Sequence, residues 1–141
     1  MAGATLRTLL LAAAVAAVSV AVGCGGDAEV PPSTHVEVAI HYSHFQPEEI
    51  AVPAGVPVTI TLRNDDPIEH EWIVGTAEVH ERHRTGTEPF HDTRPTEVTV
   101  PALSTRVTTI TFDEPAELAY ICHLPGHEAY GMAGTVRVIE G

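Results

Sequence analysis

From residue 35 onward, apolar and polar positions alternate with period two. In residues 35–42 the apolar positions are Val36, Val38, Ile40 and Tyr42, so one face of an extended strand is apolar and the other is not. Residues 50–52 and 58–62 continue in the same style, with Pro53-Ala54-Gly55 as the turn between them. Residues 72–74, 98–100, 107–112, 119–122 and 135–139 complete the set. No window of about 11 residues in this region sustains a 3.6-residue period. Short strands separated by turn signals predict one all-β domain over 35–141, an antiparallel sandwich.

Two stretches break the rhythm. Residues 76–95 are polar, with three His, three Arg, one Asp and three Glu. They predict a surface excursion between strands, longer than most loops, with a short helix around 78–84. At the other extreme, residues 9–22 form an apolar or small run of 14 residues behind a single positive charge, Arg7. That length suits a signal-peptide core and is short for a membrane-spanning helix, which needs roughly 20 residues. The run ends in Val20-Ala21-Val22-Gly23-Cys24, which resembles a bacterial lipoprotein signal, although Ala21 stands where such signals usually carry Leu. Residues 1–23 are therefore expected to be removed, with Cys24 lipidated as the first mature residue; the alternative is ordinary secretory cleavage near this point. Residues 24–34, rich in Gly, Pro and acid, read as a flexible tether.

Charge narrows the function. The part after the signal, 24–141, carries 19 acidic side chains against six Arg and no Lys, a net charge near −13. Nucleic-acid binding needs basic patches and is excluded, whereas cationic partners suit such a surface. The two cysteines do not read as a disulfide, because Cys24 opens the mature chain and Cys122 sits in a metal-type motif.

That motif is YICHLPGHEAYGMAG, residues 120–134, in which Cys122, His127 and Met132 follow one another at steps of five. A strand delivers the cysteine, Pro125-Gly126 turns the histidine back, and Gly131 lets the chain fold Met132 into place. One loop thus offers a thiolate, an imidazole and a thioether to one point. The two sulfurs satisfy soft Cu(I), and imidazole is acceptable to both oxidation states. Two imidazoles and a thiolate in a plane, with a weak axial Met, is the donor set of blue-copper sites. The second imidazole is best supplied by His70, which opens a strand after a loop closed by Asp66-Pro67. Sandwich loops cluster at the ends, so the two loops can share a pole.

These segments, with Phe45-Gln-Pro-Glu-Glu-Ile-Ala-Val-Pro-Ala-Gly and the strand after it, resemble the cupredoxins over about residues 36–139. The ligand loop is most similar to that of rusticyanin and related long-loop members. The resemblance implies a Greek-key β-sandwich and one copper, cycling between Cu(I) and Cu(II), on His70, Cys122, His127 and Met132. It also implies that His127 lies nearest the surface, with Leu124, Pro125, Ala129 and Tyr130 forming a docking patch. One departure concerns Glu71: cupredoxins often carry Asn or Ser there, hydrogen-bonding the ligand loop.

The expected function is single-electron carriage between extracytoplasmic redox partners, such as a cytochrome or an oxidase, by a monomer anchored through Cys24. Catalysis is not expected, because copper enzymes of this kind need further domains or a second loop cysteine. The alternative is a lipoprotein that captures or delivers copper through the histidine-rich excursion. There His80, His83 and His91 are candidates for a weak second metal site, against a reading as solvated loop. His123, next to Cys122 but facing the other way, is expected at the surface or behind the ligands. His35, His41 and His44 are expected to be solvated, and Trp72 and Phe112 to fill the core.

Overall fold

The computed structural model describes residues 29–87 and 94–141. The signal segment, Cys24 and His91 lie outside the described residues. In chain order the elements are β1 (His35–His41), β2 (His44–Gln46), β3 (Glu49–Pro53), β4 (Pro57–Asn64), β5 (His70–Gly75), α1 (Ala77–Arg84), β6 (Glu97–Val100), β7 (Thr105–Thr111), β8 (Ala116–Ile121), α2 (His127–Tyr130) and β9 (Ala133–Ile139). They form two sheets, ordered β2-β1-β4-β7 and β3-β9-β8-β5-β6.

The period-two segments are the strands. In β4 the buried positions are Val58, Ile60, Leu62 and Asn64, one residue in two, as a sheet with one face on the core requires. The expected sandwich is present, and two of its pairings run parallel: β1 with β4 and β3 with β9. Alternation alone does not reveal strand direction, so these parallel pairings left no sign in the sequence. Strand β2 is short and had no signal of its own. The polar excursion begins as α1, the short helix expected from sequence. The chain turns from β5 into this helix so tightly that a Cβ at Gly75 would collide with Val79, and the helix packs against β5 and β8.

The core between the sheets is aromatic at its centre. Trp72, Tyr120 and Phe45 are fully buried, with Phe45 edge-on to Tyr120 at 5.1 Å and Trp72 at 5.9 Å from the same ring. Removing one such ring by substitution to Ala typically costs about 3–5 kcal/mol. Tyr120 faces Gly134 across the β8–β9 ladder. The ring lies where a Gly134 side chain would be, and its hydroxyl donates to the Pro47 carbonyl at 2.6 Å. That residue is glycine because the ring needs the space, and the tyrosine ties the end of the sandwich below the Cys122 loop.

Candidate metal centre

Two chain segments carry the candidate ligands to one pole of the sandwich. His70 opens β5, Cys122 follows β8, His127 opens α2 and Met132 precedes β9. Two glycines shape the loop between them. Gly126 (φ 86°) and Gly131 (φ 102°) flank the single turn of α2 in the left-handed region, where a side chain costs roughly 1–2 kcal/mol. The turn is closed by the Met132 amide donating to the His127 carbonyl at 3.0 Å, and the Cys122 amide donates to the Met132 carbonyl at 3.2 Å. Cys122 and Met132 are thereby neighbours across the sheet end, both fully buried.

The donor atoms of His70, Cys122 and His127 all lie within 4.8 Å of one another, the one such group of three found among the described residues. Nδ1 of His70 is 3.2 Å from Nδ1 of His127, which is 3.3 Å from the Cys122 sulfur. Donors placed about 2.0–2.3 Å from one ion in a plane stand roughly 3.5–4 Å apart, so small movements seat an ion there. His70 turns the correct nitrogen inward because its Nε2–H donates to Asp66 at 2.9 Å, which fixes the tautomer and leaves the Nδ1 lone pair for the site.

Asp66 is itself held. Its carboxylate accepts the backbone amides of Tyr42 at 2.7 Å and Ser43 at 2.8 Å. Burial works to raise the Asp66 carboxyl, but these two amides and His70 outweigh it and keep it below the usual carboxylate value. Buried Asn64 fastens the same loop, donating to the carbonyls of Ile68, Val100 and Pro101 and accepting the Asp66 amide. Burial lowers the His70 imidazole, against the pull of Asp66. Burial also raises the Cys122 thiol, with the Glu71 charge adding to it and the Glu71 and Leu124 amides opposing. A thiol in such surroundings becomes a thiolate when a cation compensates the charge. The Glu71 amide reaches the sulfur at 3.3 Å, so the departure from Asn or Ser at this position leaves the backbone donor intact.

The sequence pointed to His70, Cys122 and His127, and the structure brings them together; Met132 adjoins them through its backbone. It did not single out Asp66 or Asn64, which read only as turn-formers in Asn64-Asp65-Asp66-Pro67. The signal was there in the four-residue step from Asp66 to His70. His80 departs from the solvated-loop reading, being 2% exposed. It packs against His123, whose side chain is 5% exposed and so is not at the surface. Burial pulls the His123 imidazole down to about 4. His83 stacks on His123 with ring centres 5.1 Å apart. His35 is exposed and His41 and His44 are half-buried, while Trp72 and Phe112 are core residues.

A two-sheet sandwich carrying a buried cysteine sulfur between two imidazoles at one pole is the class of small copper-binding proteins. The chain belongs to the cupredoxin-like family, whose domain model matches residues 10–135. The family implies one copper, and the donors found at the pole fit it. Among curated proteins the chain is similar to the copper-resistant cuproprotein CopI of Pseudomonas aeruginosa, 26% identical over 139 residues, covering 75% of this chain and 76% of the relative. Among solved structures it shares its fold with reduced auracyanin from Roseiflexus castenholzii, with a TM-score of 0.65, 22% identity and coverage of 77% and 99% of the two chains. Rusticyanin from Thiobacillus ferrooxidans matches with a TM-score of 0.56, 19% identity and coverage of 74% and 76%.

Proposed function

We propose that the chain is a mononuclear blue-copper electron carrier whose ligands are His70, Cys122, His127 and Met132. The observation that carries the reading is the buried cluster of two inward Nδ1 atoms against one sulfur. When bound, copper supplies a one-electron couple between Cu(I) and Cu(II). The chain's own residues do the rest. His70 is held by Asp66, and the Cys122 sulfur takes a backbone hydrogen bond from Glu71. Such bracing limits rearrangement between oxidation states, and the burial of Cys122 and Met132 excludes water from the sulfurs.

His127 is half-buried, with exposed Pro125, Ala129 and Tyr130 beside it. Three more exposed apolar side chains, Tyr42, Ile68 and Leu103, rise from loops tied to Asp66 or Asn64. They rim the same pole and support a docking face for a redox partner there. The net charge of −12 favours a basic partner, such as a cytochrome, or an oxidase subunit with a cationic face. Anchoring of a monomeric domain through lipidated Cys24, outside the cytoplasm, completes this proposal.

Copper capture or delivery is the second reading, favoured by the likeness to a protein named for copper resistance. Absorption and EPR spectra of the Cu(II)-loaded mature chain beside Cys122→Ser test the first. An intense thiolate-to-copper band with narrow hyperfine splitting, both absent from the variant, is expected. An ordinary Cu(II) spectrum surviving Cys122→Ser overturns it. Reduction then separates the two readings, since a carrier retains copper against a Cu(I) chelator and a delivery protein surrenders it.

A further inference from the structure

We infer that the chain has a second metal site, for Cu(II), built on Nδ1 of His80 and Nε2 of His123. It lies away from the first site, on the α1 side of the Cys122–His123 peptide bond, and does not depend on the electron-carrier reading. These two nitrogens stand 2.9 Å apart. The other nitrogen of His80 faces the Ala119 carbonyl at 3.1 Å. That contact puts the His80 proton on Nε2 and leaves the Nδ1 lone pair directed at His123. The other nitrogen of His123, Nδ1, faces Oε2 of Glu128 at 3.6 Å. A metal-bound imidazole characteristically donates its remaining N–H to a carbonyl or a carboxylate, and here one of each is in place.

The same 2.9 Å is also the length of an imidazole–imidazole hydrogen bond, and the tautomers decide between the two. With His80 protonated on Nε2, that hydrogen bond must come from the His123 Nε2–H. Neutral His123 would then turn its Nδ1 lone pair toward the Glu128 carboxylate, a repulsive contact. An ion shared by the two nitrogens reverses this, because His123 then carries its proton on Nδ1, where Glu128 accepts.

The donors suit Cu(II), the divalent first-row ion that nitrogen ligands bind most tightly. Two nitrogens about 2.0–2.1 Å from one ion and 2.9 Å apart subtend roughly 90° at it, which is the cis angle of tetragonal Cu(II). His83 flanks the pair: its Nδ1 lies 2.8 Å from the Val79 carbonyl, and its ring is stacked on His123. A groove of about 320 Å³ lined by Thr76, His80, Arg84, Glu117, Ala119 and Thr135 opens beside His80. The Arg84 cation beside this cluster is engaged by Glu128.

The test is a Cu(II) titration of the mature chain already holding one equivalent at the first site, followed by EPR and by competition with a chelator. A second equivalent is expected with a wide-hyperfine, nitrogen-coupled signal and no second thiolate band. His80→Gln and His123→Gln should each weaken it at least tenfold while the first site's band and the melting temperature report that the fold persists. Gln at 80 retains a donor for Ala119, and the exposed-residue variant His35→Gln should change nothing. Absence of a second equivalent, or a second equivalent unchanged in both the His80 and His123 variants, would overturn the inference.

Discussion

Among the described residues, two pairs of imidazoles come within hydrogen-bond distance, one on each side of the Cys122–His123 peptide bond. At the pole, His70 and His127 meet Nδ1 to Nδ1 at 3.2 Å with the Cys122 sulfur against them. Beside α1, His80 and His123 meet at 2.9 Å with nitrogen and carboxylate groups around them. Their braces differ as well. His70 leans on Asp66, a carboxylate gripped by two backbone amides, whereas His80 leans on the neutral carbonyl of Ala119. A sulfur donor and a charged, immobile brace suit an ion that must be tolerated in two oxidation states. Imidazoles braced by a carbonyl and a carboxylate suit a divalent ion and give Cu(I) no soft ligand. The chain leaving β8 thus sends consecutive side chains, Cys122 and His123, into two environments of different chemistry.

The largest expected effect breaks one side of the comparison and spares the other. Cys122→Ser should abolish the thiolate-to-copper band and leave the second equivalent of Cu(II) on His80 and His123 intact, read by EPR. Loss of both signals together would show that the two sites are not independent.

Asp66→Asn comes next, because it converts the charged brace of His70 into a neutral one like that of His80. Replacing a partner behind a metal-bound histidine typically costs 10- to 100-fold in metal affinity. The negative charge favours the higher oxidation state, so the loss falls mainly on Cu(II). A tenfold loss confined to Cu(II) raises the reduction potential by about 59 mV. Potentiometry should show the rise, and an unchanged or lower potential would mean that Asp66 only shapes the loop. The site of His80 should not respond.

Gly131→Ala tests whether the pole can be strained by itself. With φ at 102°, a Cβ costs roughly 1–2 kcal/mol, or a fall of several degrees in melting temperature. Because Met132 follows directly, the first site's spectrum should shift while Cu(II) binding beside α1 stays constant. A spectrum identical to the wild type would place the strain elsewhere.

How much of this was legible in the sequence follows from what each residue type announces. Period-two alternation exposed nearly every strand, since burial on one face leaves that imprint. It was silent on the parallel pairing of β1 with β4 and of β3 with β9, which depends on chain path. Cys122 and His127 were legible as neighbours because a single short loop holds them, and His70 because it opens a strand after a loop; Met132 is buried beside Cys122 through its backbone. Asp66 was not, since an aspartate before proline has an ordinary use in turns. His80 was misread because its segment is polar throughout, and only the docking of α1 against β5 and β8 makes it an interior residue. His123 was placed correctly on the opposite face from Cys122, but the helix that covers that face left no trace in the strand.

Arg84 offers the finest adjustment, and it acts only on the α1 side. Its guanidinium grips Glu128 through Nε at 3.0 and 3.1 Å, so it both repels a cation bound by the imidazoles and competes with His123 for the carboxylate. The pair is partly exposed, at 41% and 32% of the two side chains, and solvent screens it; such pairs contribute about 0.2–1 kcal/mol. Arg84→Gln should therefore lower stability by less than about 1 kcal/mol and tighten the second Cu(II) by roughly two- to fivefold. The gain should shrink as salt is added, because exposed charges are screened, and the spectrum at the Cys122 pole should not move. If binding weakens instead, Arg84 matters more as the clamp that keeps Glu128 behind His123 than as a competing charge. The brace of the second pair would then be as dependent on a fixed carboxylate as that of the first.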